Sequence, residues 1–73
     1  MNIHLQYMQS EAGPAELMLY DACGALIKKI RKERRNIGIQ TFFARVKKSE
    51  SEMVAVIQAP NQRIQQKITS INQ

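Results

Sequence analysis

The sequence predicts an α+β fold, a small antiparallel sheet with two helices on one face, and three observations carry that expectation. Leu26, Ile27 and Ile30 share a narrow arc of a helical wheel, with Ile30 at about 40° and Ile27 at about 100° from Leu26. Ile64, Ile68 and Ile71 recur at i, i+4, i+7, the spacing of a second amphipathic helix. Between and before these stretches lie alternating or β-branched apolar runs that read as strands. Helices laid on one face of a mainly antiparallel sheet satisfy all three.

Taken in order, Ile3, Leu5 and Tyr7 alternate with His4, Gln6 and Met8, which predicts a short half-buried strand. Residues 9–14 read as a loop, since Ser10, Gly13 and Pro14 punctuate regular structure. Residues 14–20 admit two readings. Pro14 can open a long helix whose stripe runs through Leu19, Cys23, Leu26, Ile27 and Ile30. That helix would set Leu17, Met18 and Tyr20 on its polar side and hold Gly24 in its interior, at a cost of about 1 kcal/mol relative to Ala. The preferred alternative makes residues 16–20 a strand that is apolar on both faces, with residues 21–24 as its exit loop.

The first expected helix lies within residues 21–36 and ends at Asn36-Ile37-Gly38, with its positive charge crowded towards the C-terminus where the macrodipole favours it. Residues 37–48 look extended, with Ile39, Thr41 and Phe43 facing one way and Phe42, Ala44 and Val46 the other. Residues 47–52 form a charged connection, and residues 53–58 contain the buried-strand run Met-Val-Ala-Val-Ile. Pro60 stops it, Asn61 can cap the next element, and residues 61–72 make the second expected helix. The order is ββαββα, or βαββα if the long helix forms. Leu26, Ile27, Ile30, Ile64 and Ile68 are expected to be structural.

The 73 residues make one small domain, residues 1–73, and a chain this short buries only about 60% of its unfolded surface, so a homodimer is expected. The net charge of +5 points to an anionic partner or to solubility. Cys23 is single, which favours a reduced, cytoplasmic setting over a disulfide framework. Neither a signal-peptide pattern nor an apolar stretch of membrane-spanning length occurs, so no membrane association is expected.

Residues 21–26, Asp-Ala-Cys-Gly-Ala-Leu, are followed by Ile30, by Ile37-Gly38-Ile39-Gln40-Thr41-Phe42 and by the expected hairpin of residues 47–57. This arrangement resembles the ACT regulatory domain, a ferredoxin-like module whose first loop reads Asp-x-Pro-Gly-x-Leu. The likeness covers residues 16–72. It departs from the family in having Cys23 where Pro is usual, no final strand, and an extra strand in front. The resemblance implies a dimer with a ligand site at Asp21 and Gly24. Residues 14–21, Pro-Ala-Glu-Leu-Met-Leu-Tyr-Asp, are also similar to the early helix of flagellar export chaperones of the FliS type, though about two residues short between the matching halves and without a match beyond Ile30.

Catalysis is not expected. His4 and Cys23 are each alone in their class, and no local signature joins them as base and nucleophile. Glu50 and Glu52 sit together in a polar turn, where solvation explains them, and the sequence owns neither a metal-ligand set nor a cofactor motif. The most specific feature is the cluster Lys28, Lys29, Arg31, Lys32, Arg34 and Arg35, interrupted only by Glu33 and supplemented by Arg45, Lys47, Lys48, Arg63 and Lys67. On a helix these side chains would form a basic face able to contact a phosphate backbone. The expected function is therefore non-enzymatic nucleic-acid (DNA) binding through that basic helix. The alternative is a protein–protein or ACT-like regulatory module, dimeric, whose basic helix docks an acidic partner. Phe42 and Phe43 are adjacent, so in a strand only one of them is free to stack on a base.

Overall fold

A computed structural model describes residues 2–47 and 52–69, and within them the protein is all-β. Six strands follow one another: β1 Asn2–Gln9, β2 Gly13–Asp21, β3 Leu26–Arg35, β4 Gly38–Arg45, β5 Glu52–Ala59 and β6 Gln62–Thr69. They build two antiparallel sheets, a four-stranded one in the order β3-β2-β5-β6 and a two-stranded ribbon of β1 and β4. The ribbon lies over the larger sheet, and the core is the layer between them. An isolated two-stranded ribbon is marginal in water, so this one depends on the sheet it covers.

Alternation selects the core residues. Ile3, Leu5 and Tyr7 of β1 and Phe42 and Ala44 of β4 face inward. They meet Ala15, Leu17 and Leu19 of β2 and Met53, Ala55, Ile57 and Ala59 of β5. Leu17 and Leu19 are wholly buried on the central strand β2, each contributing about 1.5–3 kcal/mol of transfer free energy. Ile27, Ile30, Ile64 and Ile68 pack half-buried around the margin.

The turns follow from their residues. Asp21 Oδ1 accepts hydrogen bonds from the backbone N–H groups of Cys23 and Ala25, both 2.9 Å, and Gly24 takes a φ of +88° that favours glycine. Between β5 and β6, Pro60 and Asn61 form a two-residue turn in which Asn61 has a φ of +55°. A positive φ at the second position is what a type II turn requires, and proline is common at its first.

The fold class therefore differs from the expected α+β arrangement. Residues 26–35 are a strand, not a helix, and residues 62–69 are a strand where the second helix was expected; Ile71 and Asn72 lie outside the described residues. The ferredoxin-like, ACT-like architecture goes with the two helices. Nor does the long helix through residues 14–30 form, since Gly13–Asp21 is a strand and residues 22–25 a turn. Leu26, expected to be structural, is 52% exposed. No helix long and apolar enough to cross a membrane is present among the described residues.

Both misread stretches carry a spacing that two periods share. Positions i and i+4 lie on one face of a helix and equally on one face of a strand. Ile64 and Ile68 thus pair with Ile57 and Met53 on the core side of β6. In β3 the i, i+3 pair Ile27 and Ile30 would occupy opposite faces of a regular strand. A register shift resolves this: Leu19 pairs with Lys28 but Tyr20 with Leu26, so β3 carries an additional residue and both isoleucines reach the core.

Candidate interface on the basic edge strand

Among the described residues β3 is an edge strand, paired only to β2, and it carries all six of the predicted binding residues. The β2–β3 ladder sorts them by face. Lys28 and Lys32 pair with Leu19 and Ala15, whose side chains point into the core, so these lysines lie along the margin of the core-facing side. Lys29 and Arg31 pair with Met18 and Glu16 on the opposite, outer side. The single basic face expected of a helix is thus divided between the two sides of a sheet.

Charge divides further. On the outer side, Glu16 Oε2 lies 3.7 Å from Lys29 Nζ and 3.6 Å from Arg31 Nη1, and Arg31 Nε donates to Glu33 Oε1 at 2.7 Å. The bond to Glu33, then its charge, holds the Arg31 guanidinium protonated to still higher pH than usual. Exposed pairs of this kind are screened by solvent and add little to stability. Their larger effect is to offset the charge of Lys29 and Arg31.

Arg35 serves the fold. Its guanidinium carbon sits 4.6 Å from the centroid of Phe42, and Nη1 donates to Gln40 Oε1 at 3.0 Å. The contact ties β3 to β4 across the two sheets, with a cation–π contribution of about 0.5–2 kcal/mol. Phe42 in turn stacks on Tyr7, with centroids 5.8 Å apart.

Lys28, Lys32 and Arg34 remain exposed and form no ion pair among the described residues. Lys28 has company. A cleft of about 280 Å³ is lined by Ile27 and Lys28 from the start of β3 and by Arg45, Val46 and Lys47 from the end of β4. Among the described residues, three cations and two aliphatic side chains therefore line this opening, and none of those lining residues is acidic. Lys48 and Glu50 lie outside the described residues. Arg63 and Lys67 are on β6, the opposite edge of the sheet, where Lys67 lies 3.6 Å from Glu52.

The remaining candidates do not assemble into a reactive site. His4 stands on the outer face of the ribbon, edge-on to the exposed Phe43 with centroids 4.9 Å apart. Cys23 is a free, exposed thiol in the β2–β3 turn. Asp21 is occupied by that turn's own backbone, and Gly24 lies beside it. Among the described residues, no group of three or more His, Cys, Asp or Glu side chains could hold a metal ion.

Sequence reasoning missed two features. One is Gln9, fully buried, which accepts from the Tyr7 hydroxyl at 2.6 Å and donates to the carbonyls of Glu11, Gly13 and Arg35 at 2.9, 3.2 and 3.4 Å. Its place in the alternation Ile3, Leu5, Tyr7, Gln9 was the available signal. The other is the cleft, whose two walls are far apart in sequence. No family model matches this chain, no curated protein shows significant similarity to it, and no solved structure matches it.

Proposed function

We propose that this protein is a non-enzymatic binding module that engages an acidic protein partner along β3. The observation that supports it is the exposed edge strand with cations on both sides of the sheet, three of them without a carboxylate among the described residues. A phosphate backbone laid against one side would reach only part of that set. An acidic polypeptide at the edge can address both sides. The cytoplasmic setting belongs to the same reading and rests on Cys23 being a lone thiol.

Nucleic-acid binding is the second reading, and the cleft favours it: Lys28, Arg45 and Lys47 converge there with no acidic neighbour among the described lining residues. The basic helix first expected to carry such binding is replaced by this strand and cleft. Fluorescence anisotropy separates the two readings, using labelled acidic peptides and labelled single- and double-stranded oligonucleotides at about 50–200 mM salt. Peptide binding that is lost in Lys28→Ala/Lys32→Ala/Arg34→Ala and retained in Glu33→Gln is the expected result. Oligonucleotide binding that is tighter than peptide binding and falls steeply with salt would replace it with the second reading. Absence of both at low salt would remove β3 as a binding site.

A further inference from the structure

β3 and β4 leave the short turn at Asn36 and Ile37 together and then part company. β3 remains in the four-stranded sheet, laddered on one side to β2, while β4 crosses to the ribbon, laddered on one side to β1. Among the described residues each strand keeps one edge without a ladder, and the two edges border a common seam. At the end remote from the turn that seam opens into the cleft lined by Ile27, Lys28, Arg45, Val46 and Lys47.

We propose that this seam receives an extended acidic polypeptide segment, which adds to β3 as a fifth strand of the larger sheet. The inference rests on the acidic-partner reading and deepens it by naming how the partner binds. Two independent needs of β3 converge on that occupant. Its backbone presents an edge of N–H and C=O groups that only another strand satisfies in register. Its side chains place Lys28 and Lys32 on one side of the sheet and Lys29 and Arg31 on the other. A strand that continues the sheet is the ligand whose own alternation meets both sets.

Charge argues against a second copy of this chain in the same place. β3 carries six cations and one carboxylate, Glu33, so pairing it with itself would bring like charges into cross-strand contact. An acidic strand reverses the sign of those contacts. Ile27 and Val46 in the cleft and Ile30 along the core margin add apolar ground on the seam side. The fitting segment therefore carries acidic residues on both of its faces, interspersed with β-branched ones.

The test uses the whole protein and a labelled peptide of repeating Glu-Glu-Val-Val, which sets acidic residues on both faces of a strand, about as long as β3, together with two versions N-methylated at either the odd or the even positions. N-methylation removes N–H donors while leaving charge unchanged, and in a strand only one of the two sets faces β3. Strand addition predicts that one methylated peptide binds at least about tenfold more weakly and the other as the parent does, because a row of hydrogen bonds is lost in one case alone. It also predicts slower hydrogen exchange of β3 amides with parent peptide bound. Equal binding of all three peptides would overturn strand addition while leaving the acidic-partner reading intact. No binding of any of them would overturn both. Displacement of the peptide by a single-stranded oligonucleotide, or β3 protection that grows with protein concentration alone, would assign the seam to nucleic acid or to a second copy and overturn the proposal.

Discussion

Replacing Gln9 by Leu should destabilise the protein far more than a Gln-to-Leu change at an ordinary strand position. Gln9 is fully buried and links the end of β1, the β1–β2 loop and the end of β3 through four hydrogen bonds. Leucine matches its volume but leaves the Tyr7 hydroxyl, its bonded neighbour, without an acceptor inside a 6% exposed residue. An orphaned buried polar group costs about 1–3 kcal/mol, and the part-buried carbonyls, able to turn to water, add about 1 kcal/mol. The expected loss is about 2–4 kcal/mol, against a total of about 4–11 kcal/mol for a chain of 73 residues. Urea unfolding followed by tyrosine fluorescence and far-UV circular dichroism measures it. The double variant Tyr7→Phe/Gln9→Leu removes donor and acceptor together, so its loss should fall short of the summed single losses by about 1 kcal/mol or more. A Gln9→Leu protein within about 0.5 kcal/mol of wild type, or strictly additive losses, would refute the network as described.

Burial pushes the Tyr7 phenol above its ordinary pKa of 10.0, with the Arg35 charge opposing. The unfolded chain then ionises first, so this residue's contribution is intact below about pH 10 and is lost as pH rises through the folded value; urea midpoints measured against pH should lose that component of the alkaline fall in Tyr7→Phe. Gly13→Ala should cost about 1–3 kcal/mol in thermal or urea unfolding, because the glycine has a φ of +148° and an added Cβ would lie 2.7 Å from Pro60 Cγ. Gly24→Ala, at a φ of +88° with open space around it, should cost only the backbone strain of about 1 kcal/mol. Lys28→Thr/Lys32→Thr/Arg34→Thr should stay folded but self-associate, seen as a sedimentation coefficient that rises with concentration, since threonine suits a strand and no longer guards its edge.

What the sequence made legible were the strands whose alternation has no rival period. The pattern Ile3, Leu5, Tyr7 is buried as expected, and β4 turns Phe42 and Ala44 inward and Ile39 and Phe43 outward, as its spacing requires. The preferred strand over residues 16–20 stands inside the longer β2, and its exit loop begins one residue later than expected, at residue 22. The edge strands were not legible, for a physical reason. An edge strand buries less than half of itself and fills the rest with Lys, Arg, Glu and Gln, which are also good helix formers. With isoleucines four apart in β6 and three apart in β3, both strands satisfy an amphipathic helix almost as well as a half-covered strand. The register shift that brings Ile27 to the core has no local signature at all.

The candidate site inherits the same difficulty. All six cations were visible in the sequence, but their division was not, because it depends on a period of two and on partners supplied by other strands: Glu16 of β2 for Lys29 and Arg31, and Phe42 of β4 for Arg35. A helix would have presented the cluster to one flat surface; a strand presents it along a line, in the plane of the sheet. The two explanations of the charge then cease to compete. Cations on an edge strand discourage pairing with other copies of the same basic strand, and by the same cross-strand electrostatics they favour an acidic one. Protection of the edge and the proposed selection of an acidic strand would then be one property of β3 met by strands of opposite sign.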